Sequence, residues 1–182
     1  MLILASESPR RRELLKKLVP SFAVEPSGID ERALEPFMGS STLSHEIARI
    51  KAYAVFAAHP DDEVLACDTV VVCDGEVLGK PKNMKDAISM LKKQSGKTTA
   101  VLTSYTYISK EKEISRTVCT NVIFHPLWEE EIIEYIEKFQ PFDKAGSYGI
   151  QDDFPLIYKI EGSYYNVMGL PVEDLEEHVF KR

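Results

Sequence analysis

Leu2-Ile3-Leu4-Ala5-Ser6-Glu7-Ser8-Pro9-Arg10-Arg11-Arg12-Glu13-Leu14-Leu15 runs from an apolar segment through small residues into a charged one, and its reading decides the fold. The pattern predicts a strand that delivers a small-residue turn onto the start of a helix. Ser8 is a favoured N-cap, and Pro9 suits the first helical position, where its missing N–H would have no intrahelical partner. The positive end of the helix dipole then faces the turn, and the guanidiniums of Arg10, Arg11 and Arg12 add fork-shaped donors that match phosphoryl oxygens. A plain surface helix with a solvated basic turn would share the capping residues. Adjacent arginines at a helix N-terminus oppose its dipole, however, so the stretch calls for an anion, and a phosphate fits.

The chain has 182 residues, enough for one domain with a sizeable core, and 1–182 is read as a single domain. A formal net charge of −7 argues against a surface that tracks long nucleic acid, yet allows a local basic pocket for a small anion. Cys67, Cys73 and Cys119 have no metal-ligand spacing, and the first two lie in strand-like apolar runs, so free core thiols in a reducing compartment are expected. His45, His59, His125 and His178 are scattered and suggest no metal site. The chain reaches Arg10 directly after a short apolar run, without the apolar region of a signal peptide, and no run has membrane-spanning length. The expectation is a soluble cytoplasmic protein.

Beyond the first helix, which should end near Leu18, a short strand around Phe22 to Val24 leads to a loop holding Asp30 and Glu31. A polar loop with Gly39, Ser40 and Ser41 opens a second helix with Leu43, Ile47, Ile50, Ala54 and Ala57 on one face, ending near His59-Pro60. Val64 to Cys73 is a long β-branched run, and Asp74-Gly75 before Glu76-Val77-Leu78 reads as a two-residue type I′ hairpin. Counting back from the turn pairs Cys73 with Glu76, Thr69 with Lys80 and Asp68 with Pro81, gathering Asp68, Thr69 and Lys80 at one end of the sheet. Pro81 cannot donate to a ladder and should end the pairing. Asn83 with Asp86 starts a helix that Ser95-Gly96 ends, and Thr98 to Ser109 with Glu113 to His125 forms a second hairpin. Trp128 to Phe139 is an amphipathic helix with Ile132, Ile133, Tyr135 and Ile136 inward. A loop-rich stretch from Gln140 to Gly169 holds a short strand near Leu156 to Ile160, and Pro171 opens a last helix.

Several motifs, in order and at matching intervals over nearly the whole chain, resemble the Maf family. They are Leu4-Ala5-Ser6-x-Ser8-Pro9-Arg10-Arg11, Asp30-Glu31, Ala48-Arg49-x-Lys51-Ala52, Asp68-Thr69-Val70-Val71, Leu78-Gly79-Lys80-Pro81, Asp143 through Gln151, and Asn166-Val167-x-Gly169-Leu170-Pro171. The resemblance implies an α/β fold like that of the inosine triphosphate pyrophosphatases, an elongated mixed sheet flanked by helices with a cleft between two lobes, and often a homodimer. It implies a metal-dependent nucleoside triphosphate pyrophosphatase that releases a monophosphate and pyrophosphate, in a family first described as inhibitors of septum formation. The Asp143 to Gln151 stretch is similar to the branch acting on dTTP and UTP.

Carried over by position, the resemblance makes Asp68 the general base, and it assigns Arg10, Thr69 and Gln151 to base choice. It gives phosphate contacts to Ser8, Arg11, Lys51 and Lys80, and metal contacts, Mg²⁺ or Mn²⁺, to Glu31 and Asp68. Phosphoryl chemistry wants this inventory: cations for the crowded negative oxygens, and a carboxylate to orient or deprotonate water. Taken singly, Asp68 could be a strand-edge acid, Lys51 and Lys80 solvated lysines, Glu31 a loop acid and Gln151 a turn cap. An amide can also read the imide edge of thymine or uracil with one donor and one acceptor. One position departs from the family pattern: Thr99 stands where many members have a histidine after Ser95-Gly96. Two alternatives stay open: the same reaction on a purine or 7-methyl-GTP, and a non-catalytic nucleotide-binding regulator of cell division.

Overall fold

In the computed structural model, which describes residues 1–34 and 42–181, the opening strand β1 (Leu2–Leu4) is paired on both sides. It runs parallel to β2 (Ala23–Val24) and to β3 (Glu63–Cys73). Helix α1 (Pro9–Leu15) connects the first pair, while α2 (Glu31–Leu34) and α3 (Leu43–Ala58) lie between β2 and β3. After β3 the sheet turns antiparallel, through β4 (Glu76–Leu78), β5 (Thr98–Ile108), β6 (Glu113–Phe124) and β7 (Ile157–Glu161). The result is a seven-stranded mixed sheet in the order β2-β1-β3-β5-β6-β7, with β4 attached to the end of β3. Helices α4 (Met84–Gln94), α5 (Glu129–Phe139), α6 (Tyr164–Met168) and α7 (Val172–His178) complete the flanks.

Alternation along the strands divides the apolar interior. Leu2 and Leu4 of β1, with Leu65 and Cys67 of β3, face α1 and α7, where they meet Leu14, Leu15 and Leu175. Ile3 and Ala5, with Val64 and Ala66, face α3 and meet Ala52 and Val55. Past the middle of β3, Val71 and Cys73 belong to a separate cluster with Ala87, Leu91, Ile132, Tyr135 and Ile136 of α4 and α5. The interior therefore breaks along β3 between Cys67 and Val71, and a cleft opens at the break between two lobes.

Local signals work as the sequence suggests. Ser8 caps α1 by accepting from the Arg11 N–H, and Asn83 caps α4 by accepting from the Asp86 N–H. Asp74 and Gly75 both take positive φ, 51° and 76°, as a type I′ turn demands. Cys67 and Cys73 are buried free thiols, whereas Cys119 is exposed.

Some expectations need correction. The β3–β4 ladder pairs Cys73 with Glu76 but stops at Val71 opposite Leu78, so Thr69–Lys80 and Asp68–Pro81 are not ladder pairs. The inward face of α3 is rotated from the expected stripe: Ala48, Lys51, Ala52 and Val55 are buried with Leu43 and Ile47, whereas Ala57 is exposed. Small side chains there let the helix lie close to the sheet, and the larger Ile50 is displaced to the margin. Glu31 starts a four-residue helix in place of the expected loop, and α6 is a further helix within the stretch read as loop-rich. The expected loop at Gly39, Ser40 and Ser41 lies outside the described residues.

Leu65 is fully buried at the junction of β1, β3 and α1. Leu65→Ala is expected to lower unfolding stability by about 2–5 kcal/mol, measured as a lower urea midpoint at unchanged slope.

Candidate active site

The cleft exists because one edge of β3 is left open. That edge pairs with β1 over Glu63–Leu65 and with β4 over Val71–Cys73. Between the two ladders, among the described residues, no strand lies beside it. Carbonyls of alternate residues point to this side: Leu65 O accepts from the Ala5 N–H at 2.8 Å, and Cys67 O, next in that row, accepts from Lys51 Nζ at 2.8 Å. A lysine ammonium thus takes the place of a strand N–H, which explains a lysine only 5% exposed on the inner face of α3.

Above the open edge lies a cavity of about 860 Å³ lined by Ser8, Arg10, Arg11, Glu31, Lys51, Asp68, Thr69, Lys80 and Gln151, among others. Every site residue that the family resemblance assigns is therefore in one cavity. Asp68 and Thr69 are adjacent on β3 and point to opposite faces, so Asp68 meets the α2–α3 side and Thr69 the α1–α6 side. Lys80 reaches the cavity after the ladder has ended, from a segment anchored by the bond of Gly146 N–H to Gly79 O at 3.1 Å.

Arg11 is held before any ligand arrives. Its Nε donates to Gly169 O at 2.7 Å and its Nη2 to Thr69 Oγ1 at 3.1 Å. Gly169 caps α6 at φ 112°, and a Cβ there would stand 3.4 Å from Arg11 Nε, so both conformation and space favour glycine. Arg10 approaches Asp143 at 3.6 Å, and Lys144 donates to the same carboxylate at 3.0 Å. Arg12, by contrast, is exposed and absent from the lining: helical geometry turns it away from Arg10 and Arg11, so the basic triplet supplies two guanidiniums.

The carboxylates differ in environment. Glu31 pairs with Lys51 at 3.0 Å; burial pushes its carboxyl up, but Lys51, aided by Arg11 and Lys80, more than offsets this and holds it below the ordinary value. Asp68 is 7% exposed, and burial together with the negative charge of Glu31 pushes its carboxyl up to about 7 against the pull of Arg11, Lys51 and Lys80. One carboxylate is kept ionised and the other is poised to take up a proton near neutrality. That division suits an acid–base site beside a bound anion.

Sequence reasoning left several participants without a role. Asp143 and Lys144 flank Arg10, Tyr148 and Ile150 line the cavity, and Gln94, buried in α4, donates to Gly146 O at 2.7 Å and so holds the 145–147 turn. Asp143 through Gln151 was visible as a motif; the partners within it were not. Thr99 lies behind the wall rather than in it, fully buried, with its hydroxyl donating to Val122 O at 3.3 Å. Among the described residues, no group of three or more His, Cys, Asp or Glu side chains is arranged to hold a metal ion by itself.

A protein-family model described as Maf-like protein matches residues 1–181. The dTTP/UTP pyrophosphatase of Thermosipho africanus is 45% identical over 182 residues, covering 100% of this chain and 93% of that protein. The dTTP/UTP pyrophosphatase of Pyrococcus abyssi is 46% identical over 178 residues, with 97% and 94% covered. Among solved structures, the Ham1 protein of Staphylococcus aureus aligns at a TM-score of 0.48 and 13% identity, over 82% of this chain and 86% of that one.

The position of the Asp68 carboxyl has a measurable consequence. Raised from 3.8 to about 7, it keeps a proton in the folded protein that the unfolded chain has released. Ionising it as pH rises through this window costs stability, so the burden is full above about pH 7 and absent near pH 4. Asp68→Asn is expected to be more stable than the parent at pH 8 in metal-free buffer, by an amount on the order of 1–4 kcal/mol. Urea unfolding should show the two converging near pH 4; equal stability at pH 8 would place the carboxyl at its ordinary value.

Proposed function

The chain belongs to the Maf family, and from that membership we propose that it hydrolyses dTTP and UTP to the nucleoside monophosphate and pyrophosphate. The observation that carries this reading is the convergence of Arg10, Arg11, Lys51 and Lys80 with one buried carboxyl, Asp68, in a single cavity. A triphosphate needs that many cations. A binding protein would have no use for a desolvated acid in their midst.

In this reading Ser8, Arg11, Lys51 and Lys80 hold phosphate oxygens, with the α1 N-terminus adding its partial charge. Asp68 orients the attacking water and takes its proton as the new phosphorus–oxygen bond forms, while the bridge between the α and β phosphates breaks and pyrophosphate leaves. A carboxyl near 7 is matched to that work, since it is ionised at working pH yet basic enough to accept. Arg10, Thr69 and Gln151 meet the base, and the donor and acceptor of the Gln151 amide fit a pyrimidine imide edge.

Glu31 and Asp68 also suit a hard divalent cation such as Mg²⁺ or Mn²⁺. They offer two carboxylates, of which Lys51 keeps Glu31 ionised, and an ion of this kind takes one or two carboxylates plus substrate phosphates and waters. When bound, the cation would neutralise charge on the phosphoryl oxygens. We read the chain as one domain in the cytoplasm, where nucleoside triphosphates are made and used; among the described residues no helix is long and apolar enough to cross a membrane.

A panel of dTTP, UTP, CTP, GTP, ATP and 7-methyl-GTP with Mg²⁺ or Mn²⁺ tests the reading through pyrophosphate release. Turnover of dTTP and UTP is expected, with loss on chelation, and Asp68→Asn should reduce turnover on the order of 10²–10⁴-fold while nucleotide binding persists. Undiminished activity in that variant would remove Asp68 from the base role. Arg11→Ala should chiefly weaken triphosphate binding, by roughly 1.5–3 kcal/mol for each charged hydrogen bond lost, seen as a higher KM. An unchanged KM would count against its phosphate contact.

A further inference from the structure

Thr69 does not stand alone in the cavity wall. It lies directly opposite Thr103 in the β3–β5 ladder, and the two hydroxyl oxygens are 2.8 Å apart. Thr103 is fully buried, and its Oγ1 is also 3.0 Å from the backbone carbonyl of Asn166 in α6. On its other side, Thr69 Oγ1 accepts from Arg11 Nη2 at 3.1 Å.

A hydroxyl has one proton and two lone pairs, which fixes the directions in this chain. The Asn166 carbonyl can only accept, so Thr103 gives its proton there. Having spent it, Thr103 meets Thr69 as an acceptor, and Thr69 must be the donor in that contact. Arg11 can only donate, so it takes one lone pair of Thr69. This is the one assignment in which all of these contacts are hydrogen bonds. It leaves Thr69 with a single lone pair for a ligand and no proton to offer.

We propose that Thr103 is a positioning residue for base selection: by locking the Thr69 hydroxyl as an acceptor, it makes the site prefer bases with a hydrogen on N3, uracil and thymine, over cytosine, whose N3 is itself an acceptor. The inference rests on the reading above that Thr69 meets the base. Gln151 cannot make this distinction, because its amide turns over to present either a donor or an acceptor. A locked hydroxyl has no such freedom, and a base that brings an acceptor leaves two lone pairs facing each other in a half-buried wall.

The test is the ratio of kcat/KM for UTP over CTP in the parent, Thr103→Val, Thr103→Ala and Thr103→Ser, each checked for a cooperative thermal transition. Valine keeps the shape and removes the acceptor, freeing the Thr69 hydroxyl to turn. Thr103→Val or Thr103→Ala should lower the UTP-over-CTP ratio about tenfold or more, largely through faster CTP turnover, and Thr103→Ser should restore it. General damage to the fold would slow both nucleotides alike and leave the ratio unmoved. A ratio that stays at the parent value in a folded Thr103→Val or Thr103→Ala overturns the role of Thr103 while the function stands. A parent that hydrolyses neither dTTP nor UTP overturns the function and this inference together.

Discussion

The open edge of β3 is the constraint on which the rest of the site depends. A strand eleven residues long is paired at its start by β1 and at its end by β4, and neither partner is long enough to cover the middle. Exposed backbone groups on a strand edge must be satisfied by something. Here the Cys67 carbonyl draws in Lys51 from α3, and Lys51 in turn draws Glu31. The same gap separates the apolar clusters of the two lobes, so there is room for a ligand where the backbone is bare. Cavity, buried lysine and paired glutamate share one cause.

The charges around the gap are arranged to disagree. Lys51 is committed to a carbonyl and to Glu31, so Asp68 is left with less compensation than its burial requires, and its carboxyl rises to about 7. A structure optimised for stability alone would pair Asp68 fully or replace it with an apolar residue. The cost is carried by the apolar clusters on both sides of the gap. An arriving polyanion would change the balance at every one of these groups.

Much of the frame was legible in the chain because it rests on local rules. Ser8-Pro9 and Asn83 announced helix starts through caps that need only neighbouring residues, and Asp74-Gly75 announced a turn whose positive φ values suit those two residue types. The site residues were named from their resemblance to a family pattern, and the cavity gathers them. What stayed hidden depended on distant partners. Lys51 stands one turn beyond Ile47 and so on the apolar side of its helix, but the reason for a lysine there, the Cys67 carbonyl on another element, is not visible in the chain. The early end of the β3–β4 ladder likewise follows from tertiary packing. Thr103 carried no signal: a threonine in a β-branched strand reads as ordinary, and its meaning comes from α6, sixty-three residues further along.

Thr103 belongs to a wider pattern on β5. Thr99, Thr103, Ser104 and Thr106 are all buried, where alternating aliphatic residues would be the cheaper filling. Their hydroxyls are matched across strands and helices: Ser104 with Ser44 at 2.8 Å and with Thr117 at 2.7 Å, Thr106 with Ser115 at 2.9 Å, and Thr103 with Thr69. Apolar contacts tolerate small displacements, but a buried hydroxyl that loses its partner costs about 1–3 kcal/mol. A slip of β5 by one residue would set Leu102 or Ser104 against Thr69 and break the matches together. Thr103 ties β5 to β3 at the level of the cleft, while Ser104 and Thr106 tie it to α3 and β6. The register beneath Asp68 and Thr69 is therefore held by a buried hydroxyl pair together with the apolar pairs Cys67–Tyr105 and Val71–Val101 on either side of it.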